Sequence, residues 1–175
     1  MLIIALVVLV AVLLTCIPAA REKARRANCL SNLHCCTLAF AMYADEYQGR
    51  CPVDEHVTLM GSYRLLSNMV TSAKTMFCPS DPRPGARPEA DYSKLTARNI
   101  SYSYVPNLMM NDGRTNVVLW LDRVYATERG SGWPADGNHG NAGGNVAFTD
   151  GHVSFYTVLP SPLQDKDTNL VVLSP

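Results

Sequence analysis

Residues 1–47 read as one unbroken helix, and no other stretch restricts the fold as strongly. Residues 1–20, MLIIALVVLVAVLLTCIPAA, carry no charge. A helix of that length covers ~30 Å, the depth of a bilayer's hydrocarbon core. Residues 21–47, REKARRANCLSNLHCCTLAFAMYADEY, change character at once and contain neither Gly nor Pro. Apolar side chains recur there at Cys29/Leu30, Leu33, Cys36, Phe40 and Tyr43, steps of three and four that draw one helical stripe. Glu22 stands four residues before Arg26, the favourable order for an ion pair of a few tenths of a kcal/mol. Gly49, with Pro52 just beyond, predicts the helix end. Such a helix is ~70 Å long, whereas a globular domain built from the rest of the chain is only ~30–35 Å across. Roughly half of the helix must protrude, and the protruding half is the one that water does not tolerate.

Three uses of the apolar run compete. Its large side chains are Leu2, Ile3, Ile4, Leu6, Val7, Leu9, Val10, Leu13 and Leu14, with Pro18 near the middle of the whole helix. The run can anchor the chain in a membrane. It can be a secretory signal, although it lacks a basic leader and a small-residue cleavage site. Or it can sit first in a membrane and then be buried against copies of itself. Nothing positive precedes it, while Arg21, Lys23, Arg25 and Arg26 follow. Taken alone, that asymmetry places the globular part in the cytoplasm. The six cysteines and the ordinary composition of the remainder lean the other way, and a basic leader removed from an originally longer chain would reconcile the two. The two units expected are residues 1–20, the protruding helix, and residues 21–175, one globular domain that includes the amphipathic half.

Composition narrows the partners. With 15 basic and 15 acidic residues the net charge is zero, so there is no basic field to collect nucleic acid. All six cysteines fall between Cys16 and Cys78. Cys29, Cys51 and Cys78 are the disulfide candidates, and their pairing stays open. No C-x-x-C occurs, and His34 beside Cys35 is not metal spacing, so zinc is not expected.

Further along, residues 56–70 predict a short second helix. Four prolines and a glycine between Pro79 and Pro88 exclude regular structure there. Ile100, Tyr102 and Tyr104 alternate with serines, and residues 116–124 form a β-rich run; both predict strands. A tight turn is expected at residues 111–114 and a Gly-rich loop at 127–145. Asp150-Gly151 between two alternating runs predicts a hairpin with a type I′ turn. The fold class is therefore α+β, with the C-terminal half of one long N-terminal helix packed on a small antiparallel sheet. No G-x-S-x-G, H-E-x-x-H, P-loop or Rossmann glycine pattern occurs, and no enzymatic activity is expected. Asn99-Ile100-Ser101 matches a glycosylation sequon. The Arg21 to Arg26 cluster suits either anionic lipid headgroups or an ion-paired face.

Three blocks in order resemble the type IV pilin-like and type II secretion pseudopilin family, in the branch that ends in a His-x9-Asp-Gly signature. They are AREKARRANCLSNL with AFAMYADEYQGRCP, then FCPSDP, then HGNAGGNVAFTDGHVSF. The chain departs from the family in having no acid within residues 1–20 and ten residues between His139 and Asp150. The resemblance implies a pilin-like fold and a structural role: a subunit held in the inner membrane, then polymerised with copies of itself by pilus or secretion machinery into a cell-surface filament. A secretion pseudopilin and a monomeric membrane-anchored binding protein are the alternatives. It also implies a hairpin motif of His139, Asp150, Gly151 and His152. Some pseudopilins use calcium in the corresponding region, so Asp122, Asp136 and Asp150 with loop carbonyls could hold Ca²⁺. The simpler expectation is that Asp150 serves the turn.

Overall fold

The computed structural model describes residues 2–70, 72–110, 113, 116–125, 132–161, 163 and 171–175, and at positions 2, 7, 8 and 11 it describes the helical backbone alone. The turn expected at 111–114 lies outside the described residues apart from Gly113, as do 127–131 of the Gly-rich loop. The fold is α+β. One long helix, α1 (Leu2–Glu46), precedes a short α2 (Leu59–Arg64) and four strands, β1 (Tyr102–Tyr104), β2 (Val118–Asp122), β3 (Gly144–Phe148) and β4 (Val153–Tyr156). The strands form one antiparallel sheet in the order β1-β2-β3-β4.

The helix ends where the sequence predicts. Gln48 and Gly49 turn left-handed, with φ of 57° and 83°, and Gly49 N–H donates to Ala44 O at 2.7 Å, closing the last turn by the six-to-one bond of a helix C-cap. The second helix is shorter than expected. Val57 adopts a positive φ of 52°, Thr58 caps the helix by accepting from Gly61 N–H at 3.1 Å, and Asp54 in turn holds the Thr58 backbone and hydroxyl. Those caps fix the start at Leu59, and the last turn tightens into a 3-10 helix, Leu65–Asn68.

Only the C-terminal half of α1 is packed. Cys29, Leu33, Cys36, Phe40 and Ala44 form its buried stripe and face Tyr63, Leu66, Met76, Tyr102, Tyr104 and Trp120. Phe40 lies 5.0 Å from the Trp120 ring and 5.2 Å from Tyr104. Thr37 carries a polar link through this layer: its hydroxyl donates to Leu33 O at 2.8 Å and accepts from Trp120 Nε1 at 2.9 Å. A bulge between Val118 and Trp120 shifts the register, so that Leu119 and Trp120 both join the helix-side core. The opposite face of the sheet packs Val118, Leu121, Val146 and Phe148 against Trp133, Leu159, Leu163 and Val172. The molecule is thus layered as helix, sheet and C-terminal loops, and Leu173 bridges to Tyr104 at the free side of β1.

The hairpin forms at Asp150-Gly151, but its turn is not type I′. Of the loop residues only Gly151 takes a positive φ, 94°; Phe148 N–H donates to His152 O, and Gly151 N–H donates to Phe148 O, both at 3.0 Å. This is the three-residue loop in which one glycine supplies the left-handed position.

Candidate functional site

Two features stand out from the packed layers. The first is the N-terminal half of α1. From Ile3 to Ile17 its described large apolar side chains are 42–77 % exposed. They point to every side of the helix rather than along one stripe, the pattern of a helix made to be surrounded. Ile3, Ile4, Leu6, Leu9, Val10, Leu13 and Leu14 all belong to this set, and Pro18 lies inside the helix; the side chains of Leu2 and Val7 lie outside the described residues. Among the described residues no helix is long and apolar enough to cross a membrane. The described run is interrupted at positions 1, 2, 7, 8 and 11, all of them apolar in the sequence.

The second is a buried polar cluster at the root of that protruding half. Each of its four central residues comes from a different segment: Cys29 from α1, Cys78 from the proline-rich loop, Asp122 from the end of β2, and His139 from the Gly-rich loop. All four are buried, and one ligating atom from each lies within 4.8 Å of the others. Cys29 Sγ–H donates to Asp122 Oδ1 at 3.2 Å and lies 3.4 Å from the Tyr102 hydroxyl. Cys78 Sγ sits 3.7 Å from His139 Nε2, which is also 3.5 Å from Asp122 Oδ2.

A polar shell holds these groups. Asn138 Nδ2 donates to Asp122 Oδ1 at 2.6 Å and to Ser101 O at 2.7 Å. Asn145 donates its backbone N–H (2.6 Å) and its Nδ2 (3.0 Å) to Asp122 Oδ2. His139 Nδ1 lies 2.8 Å from Glu22 Oε1; a carboxylate can only accept, so Nδ1 carries the proton. Glu22 is held by Ser80 Oγ at 2.9 Å and by Arg26 Nε at 3.5 Å, the latter being the ion pair expected from sequence.

The ionisation of the cluster follows from its burial and its neighbours. Burial pushes the Cys29 thiol well up, and Cys78 and Asp122 beside it add to the shift. Cys78 moves the other way, because Cys29 hydrogen-bonds to it and, against its burial, His139 adds a second bond. For His139, burial acts downward, but Cys78, Asp122 and Glu22 outweigh it and raise the pKa to about 9. Burial acts upward on Glu22, and its bonds to His139 and Ser80 prevail and lower its pKa. Without any added ligand the arrangement stabilises a thiolate on Cys78 beside an imidazolium on His139.

The structure does not bring Asp122, Asp136 and Asp150 together as a calcium site. Asp122 and Asp150 lie at opposite ends of the sheet: Asp122 pairs with Tyr102 and abuts Asn145, whereas Asp150 follows Phe148 at the far turn. Asp136 accepts from the Tyr125 hydroxyl at 2.5 Å and faces Arg123. Asp150 accepts from His152 Nδ1 at 2.6 Å, and His152 stacks on Phe148 at 4.1 Å; it serves the turn. His139 and Asp150 likewise part company, since His139 belongs to the buried cluster. Of the disulfide candidates, Cys29 and Cys78 are neighbours in that cluster, and Cys51 sits at the helix exit, where its N–H donates to Leu108 O; no disulfide is formed among them. Asn99 is buried, with Nδ2 donating to Arg87 O and Oδ1 accepting from Thr96, which leaves no amide nitrogen presented for glycosylation.

Sequence reasoning missed the cluster because its ligands share no spacing; the signal within reach was the pairing of Cys29 and Cys78 as candidate partners with His139 and Asp122 on neighbouring elements. The chain matches no family model, no curated protein and no solved structure.

Proposed function

We propose that this chain is a structural subunit of a pilus-like filament, resident in a membrane through residues 1–20 and then polymerised by burying that helix against the helices of other copies. The observation that carries this reading is the exposed apolar half of α1, apolar on every side and continuous with a half that seats one buried stripe on the sheet. Covering the nine described large apolar side chains would release on the order of 10 kcal/mol per subunit, comparable with the whole stability of an ordinary domain. A surface with that much to gain needs a permanent partner. A helix that contacts equivalent helices displaced along an axis makes an open, head-to-tail contact, and such contacts generate helical filaments rather than closed rings. Pro18 removes one backbone bond near the boundary of the two halves and gives the helix a place to bend on entering the filament.

The test is negative-stain electron microscopy of material sheared from producing cells, with mass spectrometry of the sheared protein. Long uniform fibres containing this chain are expected. A detergent-soluble monomer in the membrane fraction, with no fibres, would sink the reading and leave a secretion pseudopilin or an anchored binding protein.

A further inference from the structure

We infer that Cys29, Cys78, Asp122 and His139 form a binding site for a single thiophilic divalent cation, Zn²⁺ by the chemistry of its ligands. This inference is independent of the filament reading.

The geometry is the first argument. Tetrahedral Zn²⁺, with bonds of ~2.3 Å to sulfur and ~2.1 Å to nitrogen or oxygen, sets its ligands roughly 3.8 Å apart for two sulfurs, ~3.6 Å for sulfur with nitrogen or oxygen, and ~3.4 Å for nitrogen with oxygen. Here Cys78 Sγ is 3.7 Å from His139 Nε2 and His139 Nε2 is 3.5 Å from Asp122 Oδ2, both near those spacings, while Cys29 Sγ lies closer, 3.2 Å, to the other carboxylate oxygen, Oδ1. All four ligand atoms fall within 4.8 Å of one another.

Second, the shell prepares the ligands. His139 Nδ1–H donates to Glu22 Oε1, so Nε2 is the ring nitrogen turned toward the cysteine sulfurs, and it ligates by giving up its own proton. A carboxylate behind a histidine is the arrangement that orients metal-bound imidazoles. Asn138 and Asn145 both turn their amide nitrogens onto Asp122. That fixes the carboxylate's direction at the expense of the amide oxygens: Asn138 Oδ1 and Asn145 Oδ1 are buried without a partner. Unpartnered buried acceptors are uncommon and ask for a reason; holding Asp122 in a ligating pose supplies one.

Third, the donor set selects the cation. Two sulfurs, one imidazole and one carboxylate suit Zn²⁺ in tetrahedral coordination and not Ca²⁺ or Mg²⁺, which take oxygen. On binding, both cysteines coordinate as thiolates and His139 through a neutral Nε2, so the Cys29 thiol proton and the proton held between Cys78 and His139 Nε2 pass to solvent. Arg26 beside Glu22 offsets part of the negative charge gathered there. The consequence is mechanical: one ion ties the helix, the proline-rich loop, the sheet and the Gly-rich loop together where the apolar half of α1 leaves the domain.

The experiment uses the full chain in detergent, purified anaerobically without chelator. Metal content is measured first; the reduced apoprotein is then titrated with Co²⁺, whose thiolate charge-transfer and tetrahedral d–d absorption report the ligand set, and Zn²⁺ is added in competition. The expected result is one bound metal per chain and a thiolate-tetrahedral Co²⁺ spectrum bleached by Zn²⁺. Cys78→Ser should remove about half of the charge-transfer intensity, one thiolate of the two. Glu22→Ala, with all four ligands intact, should keep the spectrum and weaken affinity ~10–100-fold. Either of two outcomes overturns the inference: a reduced wild-type chain giving no such spectrum, or a chain isolated from producing cells metal-free and cross-linked between Cys29 and Cys78. The wild-type spectrum decides the question even if a variant fails to fold.

Discussion

Asp81 sits in the FCPSDP block with its side chain fully buried. Arg83 donates to it from its backbone N–H, from Nε at 3.0 Å and from Nη2 at 2.6 Å, and Ser101 Oγ donates at 2.7 Å. Arg83 also reaches the carbonyls of Ala97 and Ile100, so one carboxylate organises the loop against the start of the sheet. Burial alone would raise the Asp81 pKa, but the Arg83 and Ser101 bonds prevail and hold it below its ordinary value. The sign of the pH dependence follows. Unfolded, the group titrates near ~3.9, so its contribution is complete above that pH, declines as the pH falls, and is gone below the folded-state pKa. Asp81→Asn should cost ~2 kcal/mol near neutrality, the scale of hydrogen bonds to a charged group. The gap between variant and wild type should hold above about pH 4 and narrow as thermal melts are taken below the unfolded pKa of ~3.9; a gap independent of pH would show that the charge is not what holds the loop.

At the scale of elements, α1 presents two kinds of leucine a turn and a half apart. Leu33 is fully buried in the aromatic layer, whereas Leu38 is 60 % exposed on the opposite side. Leu33→Ala should destabilise the domain by ~2–5 kcal/mol, transfer plus cavity, and Leu38→Ala by no more than ~0.5 kcal/mol. Urea unfolding of both in the same detergent measures the contrast, and equal effects would mean that the helix is not seated on the sheet as described. The buried stripe was legible in the sequence because helical periodicity is local. Cys29, Leu33, Cys36 and Phe40 are all buried, while Leu30 and Tyr43, their flanking partners in the pattern, are only partly so. The strands were legible for the same reason. The turn at Asp150-Gly151 was legible in place but not in type, since Asp-Gly satisfies both the two-residue and the three-residue loop and the choice falls to strand register. The polar cluster was least legible. Asp122 read as a strand end and His139 as a loop residue, and only the antiparallel pairing of β2 with β3, together with the seat of α1 on the sheet, brings them to Cys29 and Cys78.

The whole molecule divides into two parts with opposite requirements. Among the described residues, every member of both hydrophobic clusters is Cys29 or later in the chain, so the described side chains of the N-terminal half of α1 add nothing to the core that holds the domain together. That separation makes the filament reading testable by substitution. Leu9 and Leu14 are 55 % and 69 % exposed and belong to neither hydrophobic cluster. Leu9→Lys with Leu14→Lys should therefore leave the unfolding midpoint of the detergent-solubilised chain within ~0.5 kcal/mol of wild type. In an assembled filament both lysines would enter an apolar interior, where an unpaired ammonium costs several kcal/mol; in a bilayer core each would cost ~2.5–3.5 kcal/mol on insertion scales. The doubly substituted chain should fold normally, partition poorly into membranes and yield no sedimentable fibres from producing cells. Fibres that persist with both lysines in place would exclude the helix from the filament interior. A large fall in the midpoint would instead mean that the apolar half folds back onto its own domain, and in that case the surface available for assembly would have to lie elsewhere on the chain.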